Sequence, residues 1–477
     1  MKVSLRNIGI LDEADFEVGD ITVICGENNT GKTYATYSLY GFLKFVEEIN
    51  SYAFDAIDEV SIKDYHLLEK DGSNIKISFE NFEKLINDCS NGIEKGYKSN
   101  LAEILAGKDG DFNESIFTTN ILELFLQDIK DKNFDMSILK NIMSYERTTY
   151  FELLDANKEY FIFNYKKNQN FTVAELQDFC MILFTYICFI VYPKAFILSA
   201  ERTGASMFQK ELDVNKNEIV EKISTATSSK SIERTVLDVL RTRYTRYPKP
   251  VKDNIYFIRE LDQVIKSDSF IKKEDNNLHK EILDILNKIV GGKYIMSAEG
   301  IEFAPGAKQR VTSKGKFLIQ RASSSVRSLV MLNYYILHKA RVGDILMIDE
   351  PELNLHPKNQ ILLARLIVLL SRANIKVFIT THSDYMVHEL SNCIMLHNLS
   401  EQQIIELKKD YKEEYKLDAS KIKAYLAVKE KKKNILKSIK IDQERGIFMN
   451  TFNESIDAQN NNRAIIFETI LKNKNAK

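Results

Sequence analysis

The segment from Ile21 to Val46 constrains the fold more than any other part of the chain. Ile21 to Cys25 reads as a buried strand, and it runs directly into Gly26 to Thr33, GENNTGKT. That octet satisfies G-x-x-x-x-G-K-[ST], and a helix follows on which Leu39, Phe42, Leu43 and Val46 recur at helical spacing. Strand, glycine-bearing loop and helix in this order demand an α/β sheet with a ligand at the strand's C-terminal end. Gly26 and Gly31 let the backbone curl so that the amides of Glu27, Asn28, Asn29 and Thr30 face a phosphate chain, and the helix dipole adds positive charge. Lys32 would reach the β- and γ-phosphates and Thr33 would coordinate magnesium. Tyr34 closes the phosphate-binding segment.

A second stretch, Ile345 to Pro357, reads ILMIDEPELNLHP. Four apolar residues form a short run typical of a buried parallel strand, and Asp349 and Glu350 follow at its end. Carboxylates there can serve a magnesium ion and an attacking water. Taken alone, the same residues would also fit an acidic strand-to-loop turn.

At 477 residues the chain is longer than one hydrophobic core usually serves, so two lobes or a core with large insertions are expected. Lys plus Arg (66) nearly balances Asp plus Glu (67), so any nucleic-acid site would have to be a local patch. Five scattered cysteines without a CxxC pair suggest reduced core thiols in a cytoplasmic protein. The apolar run Phe179 to Tyr192 is too short to span a bilayer, and Met1 to Ile10 has no signal-peptide pattern, so no membrane association is expected.

The core is expected to be interrupted twice. Residues 1–50 carry the phosphate loop, 51–172 read as a mostly helical insertion with a strand pair at Asn74 to Phe79 and Phe161 to Tyr165, and 173–204 return to the core. That return ends in Ser199 to Gly204, SAERTG, where Arg202 would sit beside phosphate or pair with a carboxylate. Residues 205–290 read as a second helical insertion. It contains Arg241, Arg243, Tyr244, Arg246, Tyr247, Lys249 and Lys252, either a solvated helix end or a nucleic-acid contact.

The core resumes over 291–400. Lys293 to Leu318 reads as a β-meander, and RASSSVRS places Ser323, Ser324 and Ser325 at a helix start. There they are ordinary capping residues or an anion-binding mouth. A helix to about Arg372 and a strand Lys376 to Thr380 precede His382, whose imidazole would stand at the same sheet edge as the carboxylates. Cys393 to His397 is expected to be a further strand. Residues 401–477 read as a charged helix or linker, a hairpin at Ala424 to Val428 and Ile435 to Ile441, and a helical tail.

These motifs stand in the order found in ABC-type ATPases, and the chain resembles the SMC/RecF/OLD group of that class. More narrowly it is similar to prokaryotic ATPases with FILSAER and SSSVRS segments, many from anti-phage systems such as Septu, PARIS and retron operons. The resemblance implies an α/β fold: an ABC-ATPase head, a P-loop mixed sheet with helices, carrying large helical insertions and a C-terminal α/β extension. It implies ATP and Mg2+ as ligands, with Asp349 supporting the metal, Glu350 polarising the attacking water and His382 as the switch histidine. Ser323 to Ser325 would contact the γ-phosphate held by the opposite subunit, and Asn354 and Leu355 would lie where two heads touch. The pattern departs from the family in having serines where glycines are usual and in lacking the usual glutamine-bearing loop, for which Ser199 to Gly204 is the nearest candidate.

The expected partners are ATP, a second copy in a homodimer or higher homo-oligomer, and a separately encoded effector, a nuclease or toxin. DNA or RNA stays open as a partner. No D-x-D pair preceded by a glutamate-bearing strand follows His382, so no intrinsic nuclease is expected. The alternative is a RecF- or SMC-like DNA clamp in repair.

Overall fold

The computed structural model describes residues 1–57, 68–71, 74–108, 110–131, 133–139, 141–143, 150–156, 159–165, 173–208, 247–306, 315–407, 410–448 and 458–467. The chain begins with the hairpin β1 (Lys2–Ile8) and β2 (Leu11–Glu17), then β3 (Ile21–Gly26) and helix α1 (Lys32–Ile57). An insertion follows: β4 (Leu68–Asp71), β5 (Asn74–Ser78), α2 (Phe79–Ile104), β6 (Ile116–Thr119), α3 (Ile121–Lys130), β7 (Asn141–Met143), β8 (Tyr150–Ala156) and β9 (Tyr160–Tyr165). Next come α4 (Val173–Val191), β10 (Ala195–Leu198) and α5 (Arg202–Met207). The meander β11 (Gly292–Ser297), β12 (Gly300–Pro305) and β13 (Phe317–Leu318) leads to β14 (Ile345–Asp349), β15 (Lys376–Thr381), β16 (Ile422–Glu430) and β17 (Lys433–Ser438).

Nine strands form the main sheet in the order β10-β14-β15-β3-β16-β17-β2-β1-β6. The five from β10 to β16 are mutually parallel. Their residues alternate between two cores. Ile24, Ile197, Met347 and Phe378 face the side covered by α1, α2 and α4. Val23, Cys25, Leu346, Ile348, Val377 and Ile379 face the side covered by the helices Pro357–Arg372 and Asp384–Leu396. Burial on both faces explains why these strands read as unbroken apolar runs. Each fully buried Leu or Ile contributes about 1.5–3 kcal/mol, so the sheet's centre is also its most stable part. At the other end of β14, burial raises the Asp344 carboxyl to about 6, although the Arg341 N–H donates to it at 3.0 Å.

Several expectations need correction. The described residues of 51–172 carry the expected helices, α2 and α3. They also hold a five-stranded antiparallel sheet, β4-β5-β9-β8-β7, of which the expected strand pair, β5 with β9, is the centre. The other strands went unread because charged residues interrupt their alternation, as in Glu152 and Asp155 of β8. Cys393 to His397 is no strand but the end and C-cap of the helix Asp384–Leu396, which Ser383 caps. The burial of Met386, Leu390, Cys393 and Ile394 has helical period, whereas a four-residue apolar run taken alone suits either element.

The C-terminal hairpin forms as expected, but within the main sheet: β16 pairs with β3 directly beside the phosphate loop. The residues read as a helical tail are helical over 458–467. All five cysteines are buried free thiols. Among the described residues no helix is long and apolar enough to cross a membrane.

Candidate active site at the sheet's C-terminal edge

The register of three neighbouring strands builds the site. Asp349 on β14 pairs with Thr380 on β15, and Thr381 pairs with Cys25 on β3. Each strand therefore ends at the same level, and the residues just beyond its end emerge together: Gly26 to Thr33, Asp349 and Glu350, and His382.

The loop after β3 has the backbone its sequence demands. Gly26 (φ +141), Gly31 (φ +95) and Asn29 (φ 64) take conformations that L-residues rarely adopt. A Cβ on Gly26 would stand 2.4 Å from the Ala427 carbonyl oxygen of β16, so glycine is required by space as well as by φ. The Thr30 hydroxyl donates to the Glu27 carbonyl at 2.8 Å and tightens the loop. Glu27, Asn28 and Asn29 are exposed, whereas Lys32 is buried with its Nζ donating to the carbonyls of Gly26 (2.8 Å) and Glu27 (2.7 Å). Burial lowers the Lys32 ammonium below its ordinary value, opposed by Glu350, Asp349 and Glu352. Tyr34 lies against Gly9 of the N-terminal hairpin.

Thr33 and Asp349 meet: the hydroxyl donates to Oδ2 at 3.2 Å, and Thr380 donates to Oδ1. Burial raises the Asp349 carboxyl to about 6, Glu350 and Glu201 add to the rise, and the hydrogen bonds from Thr380 and Thr33 oppose it. A hydroxyl and a buried carboxylate side by side are a donor set for a hard divalent cation such as Mg2+. The curled loop, its lysine and this pair fit a magnesium–triphosphate.

Glu350 is half-buried and has φ +50. Its N–H donates to the Thr380 carbonyl (3.1 Å) and hydroxyl (3.2 Å). The His382 side chain is 47% exposed, with Nδ1 3.9 Å from Glu350 and 3.2 Å from Glu352. Glu352 also accepts the His382 main-chain N–H at 2.8 Å, and its second oxygen is buried without a partner. Sequence reasoning missed Glu352 and Thr380. The only available signals were a third carboxylate within IDEPEL and the threonine pair before His382.

Of the remaining expected residues, Arg202 lies against the site and the serines do not bond to it. Arg202 is 2% exposed and spends its guanidinium on main-chain carbonyls: Ser199 (3.0 Å), Asp349 (2.8 Å) and Glu350 (2.7 Å). It does not pair with Glu201, which accepts from Tyr37 at 3.1 Å. Ser323 caps the helix Ser324–Tyr334, and its hydroxyl lies 2.9 Å from that of Ser325. Ser323 and Ser324 are exposed, and the hydrogen bonds of this triplet join residues of its own helix start.

Asn354 is exposed with φ 63, and Leu355 is buried in the chain's own core. Arg241, Arg243, Tyr244 and Arg246 lie outside the described residues. Lys249 is paired with Glu48 (2.9 Å) and Asp253 (3.3 Å), and Lys252 with Glu103 (3.9 Å).

Residues 1–387 match the family described as AAA ATPase domain. No curated protein sequence matches the chain. Among solved structures the chain is similar to an Smc head bound to the C-terminal winged-helix domain of ScpA, at 13% identity and a TM-score of 0.34, covering 93% of this chain and 98% of that one. It is similar also to the Smc head with an extended coiled coil bound to the C-terminal domain of ScpA from Pyrococcus furiosus (13% identity, TM-score 0.32, 97% and 98% covered). A third is the SMC head domain from Thermotoga maritima (9% identity, TM-score 0.28, 92% and 98% covered). At these scores the architecture rests on the chain's own strand order and on the family match.

Proposed function

Because the chain belongs to the AAA ATPase domain family, we propose that it binds Mg-ATP at Gly26 to Thr33 and hydrolyses it between two copies joined head to tail. The observation that carries the reading is the Thr33–Asp349 pair at 3.2 Å, with Glu350 one residue beyond it. The loop amides and Lys32 hold the phosphates, and Thr33 and Asp349 hold the metal. Magnesium, when bound, neutralises charge developing on the phosphate oxygens. Glu350 orients the attacking water and accepts its proton, while His382 donates a hydrogen bond at the γ-phosphate position. A transferred phosphoryl group needs donors on both sides, and one loop covers one side. The exposed hydroxyls of Ser323 and Ser324, at a helix N-terminus, supply the other side from the second copy.

The head acts as sensor and scaffold for a separately encoded effector, a nuclease or toxin, in anti-phage defence. Lys249 and Lys252 of the basic run pair with carboxylates of the chain itself, Glu48 and Glu103. The test is ATP turnover and co-purification with the product of the neighbouring gene. Turnover lost in Lys32→Ala and Glu350→Gln, with a partner retained in a nucleotide-dependent manner, is expected. Turnover unchanged in Glu350→Gln contradicts the catalytic part. Strong, salt-sensitive stimulation by DNA without any bound protein partner contradicts the effector part.

A further inference from the structure

Glu350 holds a backbone conformation, φ +50, that an L-residue with a long side chain rarely keeps unaided. Two neighbours grip it. On one side Thr380 takes its N–H. On the other, the Arg202 fork takes the carbonyls of Asp349 at 2.8 Å and Glu350 at 2.7 Å, so both peptide units flanking the Glu350 Cα are fixed. The clamp is itself fixed, because Arg202 is buried and also donates to Ser199 at 3.0 Å. The Ser199 N–H donates to Asn254 at 2.9 Å, and Asn254 donates to the Ile197 carbonyl at 2.6 Å. One residue after Arg202, the Thr203 hydroxyl accepts from Asn354 at 3.4 Å, so α5 also touches the loop beyond Glu350. Moreover, α5 packs against the helix Ser324–Tyr334, which begins at the exposed serines, and against the helix Lys249–Arg259.

We infer that Arg202 is a positioning residue for hydrolysis: it holds the main chain of Asp349 and Glu350, and thereby the direction of the Glu350 carboxylate, and it ties that direction to the placement of the serine-tipped helix through α5. This rests on the ATPase reading above. A planar guanidinium can bridge several carbonyls at once, whereas a lysine ammonium in the same space cannot reproduce the fork. Misplacing a catalytic group by a fraction of its bond length to water is enough to slow the reaction strongly.

The test is Arg202→Lys in the full chain, with kcat and KM for ATP, equilibrium binding of a non-hydrolysable ATP analogue, and the melting temperature measured together. The expected result is a kcat lower by about 10- to 100-fold with analogue affinity unchanged within about twofold. In a Glu350→Gln background, Arg202→Lys causes no further loss, since it acts through Glu350. Should Arg202→Lys fail to fold, Thr203→Val loosens the same attachment by one hydroxyl, and a kcat lowered about two- to fivefold at unchanged analogue affinity is expected.

A wild-type kcat in Arg202→Lys, or in Thr203→Val where that variant stands in, overturns the inference. So does an analogue affinity that falls in step with kcat, which would make Arg202 a binding residue. The Glu350→Gln control separates the two levels: if it turns over normally, the assignment of Glu350 to the attacking water has failed; if it is dead while Arg202→Lys is normal, only the clamp has failed.

Discussion

The Thr33 hydroxyl and the Asp349 carboxylate, 316 residues apart in the chain, stand 3.2 Å from each other at the sheet's C-terminal edge. If this pair holds the metal, Asp349→Asn removes a charge without removing volume. Nucleotide affinity in the presence of Mg2+ is then expected to fall about 10- to 100-fold, while affinity measured in EDTA stays unchanged. Titration with a fluorescent ATP analogue under both conditions checks this. Equal losses with and without magnesium would place Asp349 outside the metal site.

Two defective copies should repair each other if the site is composite. Lys32→Ala removes one half and Ser324→Glu sets a negative charge against phosphate in the other half. Each variant alone is expected to lack turnover. Mixed, they form heterodimers in which one site has both halves intact, so turnover returns. A mixture as inactive as its components contradicts sharing of the site between copies.

Gly26 is fixed by its neighbour strand as much as by its ligand. Gly26→Ala meets both φ +141 and the Ala427 carbonyl at 2.4 Å, and is expected to destabilise the chain by about 1–3 kcal/mol. Denaturant unfolding without nucleotide measures this. A variant as stable as the wild type would mean that β16 does not press on the phosphate loop.

Asp344, raised to about 6 by burial, gives a pH signature remote from the site. The folded value exceeds the unfolded one of 3.8, so the native state binds this proton more tightly. The penalty is absent below pH ~4, grows as pH rises to ~6 and is complete above it, about 3 kcal/mol at most. Asp344→Asn keeps an acceptor for the Arg341 N–H. The variant is therefore expected to melt higher than the wild type at pH 8 and to lose that advantage near pH 4. A gain independent of pH contradicts the assignment.

What the sequence displayed and what it hid follow from how each contact is made. Gly26 to Thr33, Asp349, Glu350 and His382 were legible because each lies within a few residues of a strand end, where local spacing carries the information. Arg202 was legible as a candidate but its partners were not, and Glu352 was not legible at all, since a guanidinium on main-chain carbonyls and a carboxylate on a main-chain N–H require no particular residue type in their partners. The hairpin β16–β17 was visible as the two short segments Ala424 to Val428 and Ile435 to Ile441. Its seat beside β3 was not, because pairing between strands some 400 residues apart leaves no periodic trace in either. Alternation in Phe161 and Phe163 revealed β9, whereas acidic residues concealed β8 next to it.

The central claim is that nucleotide joins two heads across the phosphate loop of one and the serine-tipped helix of the other. Light scattering coupled to gel filtration on Glu350→Gln, with and without Mg-ATP, tests it most directly. The account predicts that ATP raises the mass of this hydrolysis-blocked chain to that of a dimer and that Ser324→Glu abolishes the increase. A chain that binds ATP yet keeps the same mass with and without it, or one that dimerises equally well with Ser324→Glu, would contradict the account.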